Sequence, residues 1–273
     1  MGAVEKITSY YRDVLNPSIF NAGLVTGWTL STNVPDCLKK HGVALLSEAI
    51  PISSDLFEEL VEEMRKFRWT EKLFTGTDAR GQTNFLPKNK PGRYVTTDSK
   101  EIGIVTKWNH FDKKVRQMLV DCNFQYNRFD LKYSVFKSDS GLLVPQIPHC
   151  DVMEPGEFSK RKGTKFPFVA LVGLEEYSFV EYESLRTKLW TRVCIRRGDV
   201  FFFRGDVVHR GCENYASHEH FRIHVYIDPK ALADRDKSDN SSTVIADDSD
   251  VPEIPKYDPS KNVWTLDSNV PKY

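Results

Sequence analysis

A histidine and an aspartate stand two residues apart in VPQIPHCDVMEP, residues 144–155. In an extended segment, residues i and i+2 project from the same side of the chain. An imidazole nitrogen of His149 and a carboxylate oxygen of Asp151 can therefore reach one metal ion, whereas Cys150 points to the other side. Taken alone, the pair is also common in polar loops, so a metal site needs a third ligand from elsewhere in the chain.

His209 is the candidate for that third ligand. It ends the apolar stretch DVFFFRGDVVH, residues 199–209, and a jelly roll brings the ends of distant strands to the mouth of one barrel. Two histidines and one carboxylate on one face of an ion leave the opposite face open, which is the arrangement of non-haem Fe(II) oxygenases. A single histidine at a strand end is also often structural, and that alternative stays open at this point.

Arg222 lies thirteen residues after His209, in HFRIHVYID at 220–228. Alternation gives this stretch an apolar face and a second face that carries Arg222, His224 and Tyr226. If the apolar face packs against N-terminal helices, Arg222 points into the barrel, where a buried unpaired charge is costly. A carboxylate from a bound molecule would pair with the guanidinium. The alternative is a wet sheet face on which Arg222 is solvated.

The elements that must position these side chains change character along the sequence. GVALLS (42–47) predicts a short strand, and apolar residues at helical spacing predict helices within 53–69 and at 112–122. The period then changes to two, and strand-like runs follow at 128–137, 166–174, 188–195, 199–209 and 220–228. This order predicts a mainly β fold with N-terminal helices, namely a β-sandwich or jelly roll.

The remaining segments predict the domain organisation. Residues 70–99 are rich in Gly, Pro, Thr and Asn, which is typical of either a functional lid or a mobile surface loop. Basic residues cluster at 87–93 and 158–165, but these two short segments are insufficient to indicate a nucleic-acid enzyme. We expect residues 1–228 to form one domain with helical support, and the polar segment 229–273 to form a tail that is partly disordered or docked.

Composition bounds the partners and the compartment. Lys plus Arg and Asp plus Glu number 38 each among 273 residues, so no global charge steers the protein toward nucleic acid or an anionic membrane. The five cysteines are odd in number and lack CxxC spacing, which indicates a reducing compartment without a disulfide framework. No apolar run of about 18 residues occurs in the sequence. We therefore expect a cytoplasmic or nuclear location and no membrane partner.

The motif His149-x-Asp151, then His209, then Arg222 in the following strand resembles the 2-oxoglutarate/Fe(II)-dependent dioxygenase superfamily. The resemblance spans roughly residues 40–228 and implies a double-stranded β-helix, the cupin-like form of the jelly roll. It implies that His149, Asp151 and His209 bind Fe(II) and that Arg222 binds the distal carboxylate of 2-oxoglutarate. Tyr133 matches the position where the family often has a tyrosine hydroxyl that helps to hold this cosubstrate.

This chain also departs from the family pattern. Many relatives have Ser or Thr two residues after the arginine, whereas this chain has His224. His218, His220 and His224 cluster near Arg222, and we interpret them as surface or supporting histidines rather than as a second metal site.

The resemblance implies a hydroxylase that takes O2 and 2-oxoglutarate and releases succinate and CO2. Its substrate is a small molecule, a protein side chain or a nucleobase. Two alternatives remain: a β-helix binding module without oxygenase chemistry, and a cupin-type metalloenzyme that does not use 2-oxoglutarate.

Overall fold

The computed structural model describes residues 33–50, 54–71, 75–77, 83–85, 93–96, 107–124, 129–141, 145–146, 148–151, 166–175, 178–185, 190–214, 216–229, 243–245, 256–258 and 263–265. Three helices lie within these ranges: α1 (Val34–His41), α2 (Ser54–Met64) and α3 (Trp108–Asp121). The sixteen strands there are β1 (Val43–Leu46), β2 (Thr70–Glu71), β3 (Thr75–Thr77), β4 (Thr83–Phe85), β5 (Arg93–Thr96), β6 (Phe129–Ser138), β7 (His149–Cys150), β8 (Phe168–Gly173), β9 (Ser178–Glu183), β10 (Trp190–Ile195), β11 (Val200–Arg204), β12 (His209–Gly211), β13 (His220–Pro229), β14 (Thr243–Ile245), β15 (Lys256–Asp258) and β16 (Val263–Thr265).

Two seven-stranded sheets form the body of the fold. The first sheet has the order β1-β11-β8-β13-β6-β5-β2, and the second has the order β10-β9-β12-β7-β14-β3-β4. From β6 to β13 the chain passes back and forth between the two sheets, with only β9 and β10 consecutive in one of them. This winding is the double-stranded β-helix, so the predicted fold class is confirmed.

The apolar face of β13 supports the core of the fold. Phe221, Ile223 and Val225 are fully buried, and they belong to one cluster with side chains from α2 and α3. The opposite face of β13 carries Arg222 and His224, which point away from that cluster because successive residues of a strand face opposite sides. The predicted alternation is therefore present in β13, with apolar side chains on one face and Arg222 and His224 on the other.

Helix α1 was not anticipated from the sequence. Asn33 caps its first turn, because the Asn33 side chain accepts a hydrogen bond from the Asp36 backbone at 3.2 Å, and a proline occupies that turn. Gly42 ends the helix with a left-handed φ of 79°, and its N–H donates to Leu38 at 2.9 Å. The chain thereby turns directly into β1, which pairs with β11.

The structure adds strands in three regions of the sequence. The segment 70–99, predicted to be a loop or lid, contains the short strands β2 to β5, and its other residues lie outside the described ranges. Strand β9 was not predicted. In the predicted tail 229–273, β14 pairs antiparallel with β7, with Ile245 opposite His149, and β15 pairs with β16. Part of the tail is therefore docked on the second sheet.

An ion cluster lies on the face of the second sheet opposite His209. The Glu181 carboxylate, only 1% exposed, accepts hydrogen bonds from Arg210 at 2.7 Å and from Arg192 at 2.6 Å. Arg192 also lies 3.2 Å from Glu213. Since Arg210 is the neighbour of His209 in β12, this cluster fixes the strand that carries a predicted ligand.

We expect Glu181→Ala to lower the free energy of unfolding by about 3–5 kcal/mol, because the buried Arg210 guanidinium loses its carboxylate partner, whereas Arg192 keeps Glu213. Urea denaturation measures this loss. Glu58→Ala is the matched control: Glu58 forms an exposed pair with Arg197 at 3.4 Å, which contributes at most about 1 kcal/mol. Equal losses in the two variants would contradict a stabilising role for the cluster.

Two further features concern the cysteines and the length of the helices. All five cysteines carry free thiols. Among the described residues, no helix is both long enough and apolar enough to cross a membrane.

Candidate functional site

Three predicted ligand residues converge between β7 and β12. His209 pairs directly with His149 in the sheet, and Asp151 follows β7. One Asp151 oxygen lies 3.5 Å from His149 Nε2, and the other lies 3.7 Å from His209 Nε2. A ligand atom from each of the three residues lies within 4.8 Å of the other two. Side chains sixty positions apart thus face one common point.

The turn between β11 and β12 helps to place His209. Arg204 and Asp206 form a bidentate pair at 2.8 and 3.0 Å, and both side chains are buried. The Gly205 N–H donates to Pro167 at 3.0 Å. The RGD sequence at 204–206 is therefore a structural turn that directs the chain into β12.

Burial and hydrogen bonding prepare this cluster for a cation. His149, Asp151 and His209 are 3%, 8% and 2% exposed. His209 Nδ1 lies 3.0 Å from the Val207 carbonyl, which can only accept, so Nδ1 carries the proton and Nε2 presents its lone pair. Within the described ranges, neither His209 Nε2 nor Asp151 Oδ2 has a hydrogen-bond partner. Buried acceptors of this kind are costly unless something occupies the space between them.

The pKa shifts of these side chains also favour the protonation states in which they can bind a metal ion. Burial lowers the pKa of His209 to about 3, so its imidazole is neutral at physiological pH. Burial alone would raise the pKa of Asp151, but the neighbouring His209, His149 and His224 outweigh it and hold that pKa well below the usual range. The carboxylate is therefore ionised. Two imidazole nitrogens and one carboxylate fit a first-row divalent metal such as Fe(II).

His224 adds a third imidazole beside Asp151. Its Nδ1 lies 3.7 Å from Asp151 Oδ2, and its ring packs on Phe136 with centroids 4.2 Å apart. The sequence placed His224 on the polar face of β13, but the interpretation as a surface or supporting histidine did not identify this contact. The signal available was its spacing of two residues from Arg222.

Arg222 is buried beside the same cluster. It is 8% exposed and pairs across the sheet with Phe136 and Gly173. Its guanidinium lies against Gly211, two residues after His209: a methyl group on Gly211 would be 2.7 and 2.9 Å from the Arg222 Nη atoms. The interpretation of a solvated Arg222 is therefore wrong. Glycine is required here because the guanidinium occupies the side-chain position.

The charge on Arg222 is only partly compensated by the protein. Burial lowers its pKa, while Cys212 and Asp151 act in the opposite direction. Among the described residues, no hydrogen-bond partner of Arg222 Nε is present. A buried guanidinium in this state can bind an anion at the side of the cluster formed by His149, Asp151 and His209.

Arg93 is a second buried guanidinium that sequence reasoning missed. In the sequence, Arg93 is distinguished only as the last residue of the basic stretch 87–93. In the structure Arg93 begins β5, and its Nη2 donates to the Cys212 carbonyl at 2.7 Å. Burial, and next the positive charge of Arg222, lower its pKa to about 9. Arg93 therefore braces the strand end that carries Gly211 and adds positive potential near Arg222.

Tyr133 does not face this site, which corrects the assignment made from the resemblance. It pairs with Val225 and so lies on the apolar face of the first sheet, opposite to Arg222. Its hydroxyl donates a hydrogen bond to Asp112 of α3, and its ring packs edge-on against Trp108. Burial and this hydrogen bond raise its pKa. Tyr133 joins the helices to the sheet.

Aromatic side chains border the cluster on one side. The Phe203 ring lies 4.4 Å from the His209 ring and 5.6 Å from Phe201. Phe202 points the other way and stacks on Phe124. Trp190 packs under the guanidinium of Arg210 on the outer face of the second sheet. The basic segment 158–165 lies outside the described residues.

These features define the class as a double-stranded β-helix protein with a buried centre of two histidines, one aspartate and an adjacent arginine. No protein-family model and no curated protein sequence matches the chain. Solved structures do match it. The non-haem α-ketoglutarate-dependent carbocyclase SnoK, from nogalamycin biosynthesis, shares 11% identity at a TM-score of 0.50, over 72% of this chain and 84% of SnoK.

Two other similar structures are a Pseudomonas putida prolyl-4-hydroxylase and HygX from Streptomyces hygroscopicus. The hydroxylase shares 16% identity over 74% of this chain and 99% of its own, with a TM-score of 0.49. HygX, crystallised with nickel and 2-oxoglutarate, shares 11% identity over 70% of this chain and 84% of its own, with a TM-score of 0.48. Identities this low are informative about the fold alone. Of these three structures, SnoK has the highest TM-score, 0.50, and its match supports the double-stranded β-helix fold.

Proposed function

We propose that this chain is an Fe(II)- and 2-oxoglutarate-dependent oxygenase that hydroxylates a C–H bond of an organic substrate. The proposal rests on two neighbouring groups of buried side chains, one suited to bind a cation and the other suited to bind an anion. In the part of the chain that the structure describes, the buried acceptors Asp151 Oδ2 and His209 Nε2 have no hydrogen-bond partner, and the guanidinium of Arg222 is buried beside them. One cation and one carboxylate satisfy both sites, and 2-oxoglutarate supplies a carboxylate at each of its ends.

In this proposal His149, Asp151 and His209 hold Fe(II), and Arg222 binds the distal carboxylate of 2-oxoglutarate. The bound metal, with O2 and 2-oxoglutarate, supplies an oxidation that yields succinate, CO2 and hydroxylated substrate. Val207 fixes the His209 tautomer that leaves Nε2 available, and Phe203 excludes water from one side of the centre.

Gly211 and Gln146 set the position of the arginine. Gln146 and Gly211 exchange two hydrogen bonds: Gly211 N–H donates to Gln146 Oε1 at 2.7 Å, and Gln146 N–H donates to the Gly211 carbonyl at 2.8 Å. The Arg222 guanidinium packs on this pair. His224 stands near Asp151 where many relatives have a small hydroxyl residue, so we propose that this pocket holds the cosubstrate without that hydroxyl.

The reaction can be tested before the substrate is known, by measuring whether the protein converts 2-oxoglutarate to succinate in the absence of that substrate. We expect succinate formation that requires Fe(II), O2 and the intact His149 and Asp151. His110→Ala, at an exposed position in α3, should leave the rate unchanged. Metal binding without affinity for 2-oxoglutarate would instead indicate a cupin-type metalloenzyme, and the absence of both would indicate a binding module.

A further inference from the structure

A second group of ligand-type side chains lies at the start of β13. From their positions in the sequence, His218, His220 and His224 are interpreted together as surface or supporting residues. The structure divides them, because His224 lies beside Asp151 whereas the other two meet Glu175. Glu175 follows β8, so this second cluster joins the segment after β8 to the segment that enters β13.

The donor atoms of this cluster are spaced for a shared ion. Glu175 Oε2 lies 2.8 Å from His218 Nε2 and 3.9 Å from His220 Nε2. One ligand atom from each residue lies within 4.8 Å of the others. Bonds of about 2.0–2.2 Å to one tetrahedral ion place neighbouring donor atoms roughly 3.4 Å apart. The observed spacing brackets that value.

The surroundings combine a buried anion with an open approach. Glu175 is 6% exposed, and its Oε1 accepts a hydrogen bond from the Phe221 N–H at 2.9 Å, which leaves Oε2 toward the histidines. The His220 side chain, 17% exposed, lies beside this buried carboxylate. The His218 side chain is 55% exposed.

His218 and Glu175 also line a surface groove of about 800 Å³ beside α2. Glutamates of α2 line the same groove, among them Glu59 and Glu62, together with basic side chains such as Lys107. The groove gives an ion and its water ligand access to the cluster.

We propose that Glu175, His218 and His220 form a second metal site, for a divalent ion of the zinc class, separate from the His149 centre. Two imidazoles and one carboxylate match the preference of Zn²⁺, and the groove that His218 and Glu175 line would admit a water molecule as a fourth ligand. The ion fixes the entry of β13 two residues before Arg222. This proposal does not depend on the oxygenase proposal.

The competing account is that Glu175 and His218 form a plain hydrogen-bonded pair. Glu175→Gln separates the two accounts, because the amide oxygen still accepts from the Phe221 N–H and the amide still bonds to an imidazole, while the anionic ligand is lost. His218→Ala removes a ligand from an exposed position, so the metal-free protein should keep its melting temperature.

The experiment is zinc stoichiometry by equilibrium dialysis with elemental analysis on the full chain. We expect two ions per chain in the unaltered protein and in His110→Ala. We expect one ion in Glu175→Gln, in His218→Ala and in Asp151→Ala, and none in Asp151→Ala combined with His218→Ala. In the Asp151→Ala background, zinc at one hundred times its Kd should raise the melting temperature by roughly 5–10 °C, and Glu175→Gln should remove that shift.

The outcomes distinguish this site from the His149 centre. Zinc stoichiometry that is unchanged by both Glu175→Gln and His218→Ala would overturn the second site and leave the hydrogen-bonded pair. A single ion that Asp151→Ala abolishes would overturn it as well. A single ion that survives Asp151→Ala and is lost in His218→Ala would support the second site and contradict the oxygenase proposal.

Discussion

Asp151→Ala is expected to weaken Fe(II) binding at the His149 centre by more than about 100-fold and to abolish succinate formation. Removal of a residue that only supports a metal ligand typically costs 10- to 100-fold in affinity, so loss of the single anionic ligand costs more. The Asp151 carboxylate also lies within 3.7 Å of both histidines, and among the described residues it is the anionic member of this group of ligand-type side chains. Anaerobic titration calorimetry with Fe(II) measures the effect.

His224→Ala is the discriminating companion to that variant. The group of residues whose ligand atoms lie within 4.8 Å of one another contains His149, Asp151 and His209, and within the described part of the chain it does not include His224. We therefore expect His224→Ala to keep Fe(II). Retention of the metal in Asp151→Ala, or its loss in His224→Ala, would contradict the proposed ligand set.

Arg222→Ala is expected to weaken 2-oxoglutarate binding by about 2–5 kcal/mol, or roughly 30- to 3000-fold, because it removes the buried partner of a carboxylate. The affinity of Arg222→Lys for 2-oxoglutarate should lie between those of the unaltered protein and Arg222→Ala, since an ammonium keeps the charge but lacks the planar fork of the guanidinium. Calorimetric titration of the keto acid into the metal-loaded protein gives the affinities. Unchanged affinity in Arg222→Ala would show that the anion binds elsewhere.

Gly211→Ala tests the same pocket without removing the arginine. The added methyl group would lie within 2.9 Å of both Arg222 Nη atoms and 2.5 Å from Gln146 Oε1, so the guanidinium must move. We expect weaker 2-oxoglutarate binding with metal binding retained. Gly141→Ala is the matched control, because its methyl group enters open space and its positive φ of 65° affects only the turn after β6.

The sequence predicted that His149, Asp151 and His209 lie together, because the spacing of these residues follows simple patterns. The spacing of His149 and Asp151 placed both side chains on one side of an extended segment, and the alternation of β13 separated Arg222 from the apolar face. These are local rules with a period of two. The contact of His209 with the other two residues depended on the predicted fold, in which strand ends meet.

The parts that the sequence did not reveal depend on nonlocal contacts. Tyr133 belongs to the alternating apolar set of β6, and its pairing with Val225 decides its face. Arg93 lies in a Gly- and Pro-rich stretch whose strand, β5, is formed by pairing with β6 and β2, which lie elsewhere in the sequence. Glu181 interrupts the apolar residues of β9 in the sequence, and this strand was not predicted. Two arginines from other strands make the burial of its carboxylate possible.

The central claim is that one metal ion and one dicarboxylate lie side by side between β12 and β13. A crystal soaked anaerobically with Mn(II) and 2-oxoglutarate, read by anomalous scattering, tests it directly. We predict one manganese peak bound by His149, Asp151 and His209, with the distal carboxylate of the keto acid on Arg222. A manganese peak away from these three residues, or a protein carboxylate in place of the keto acid on Arg222, would contradict the account.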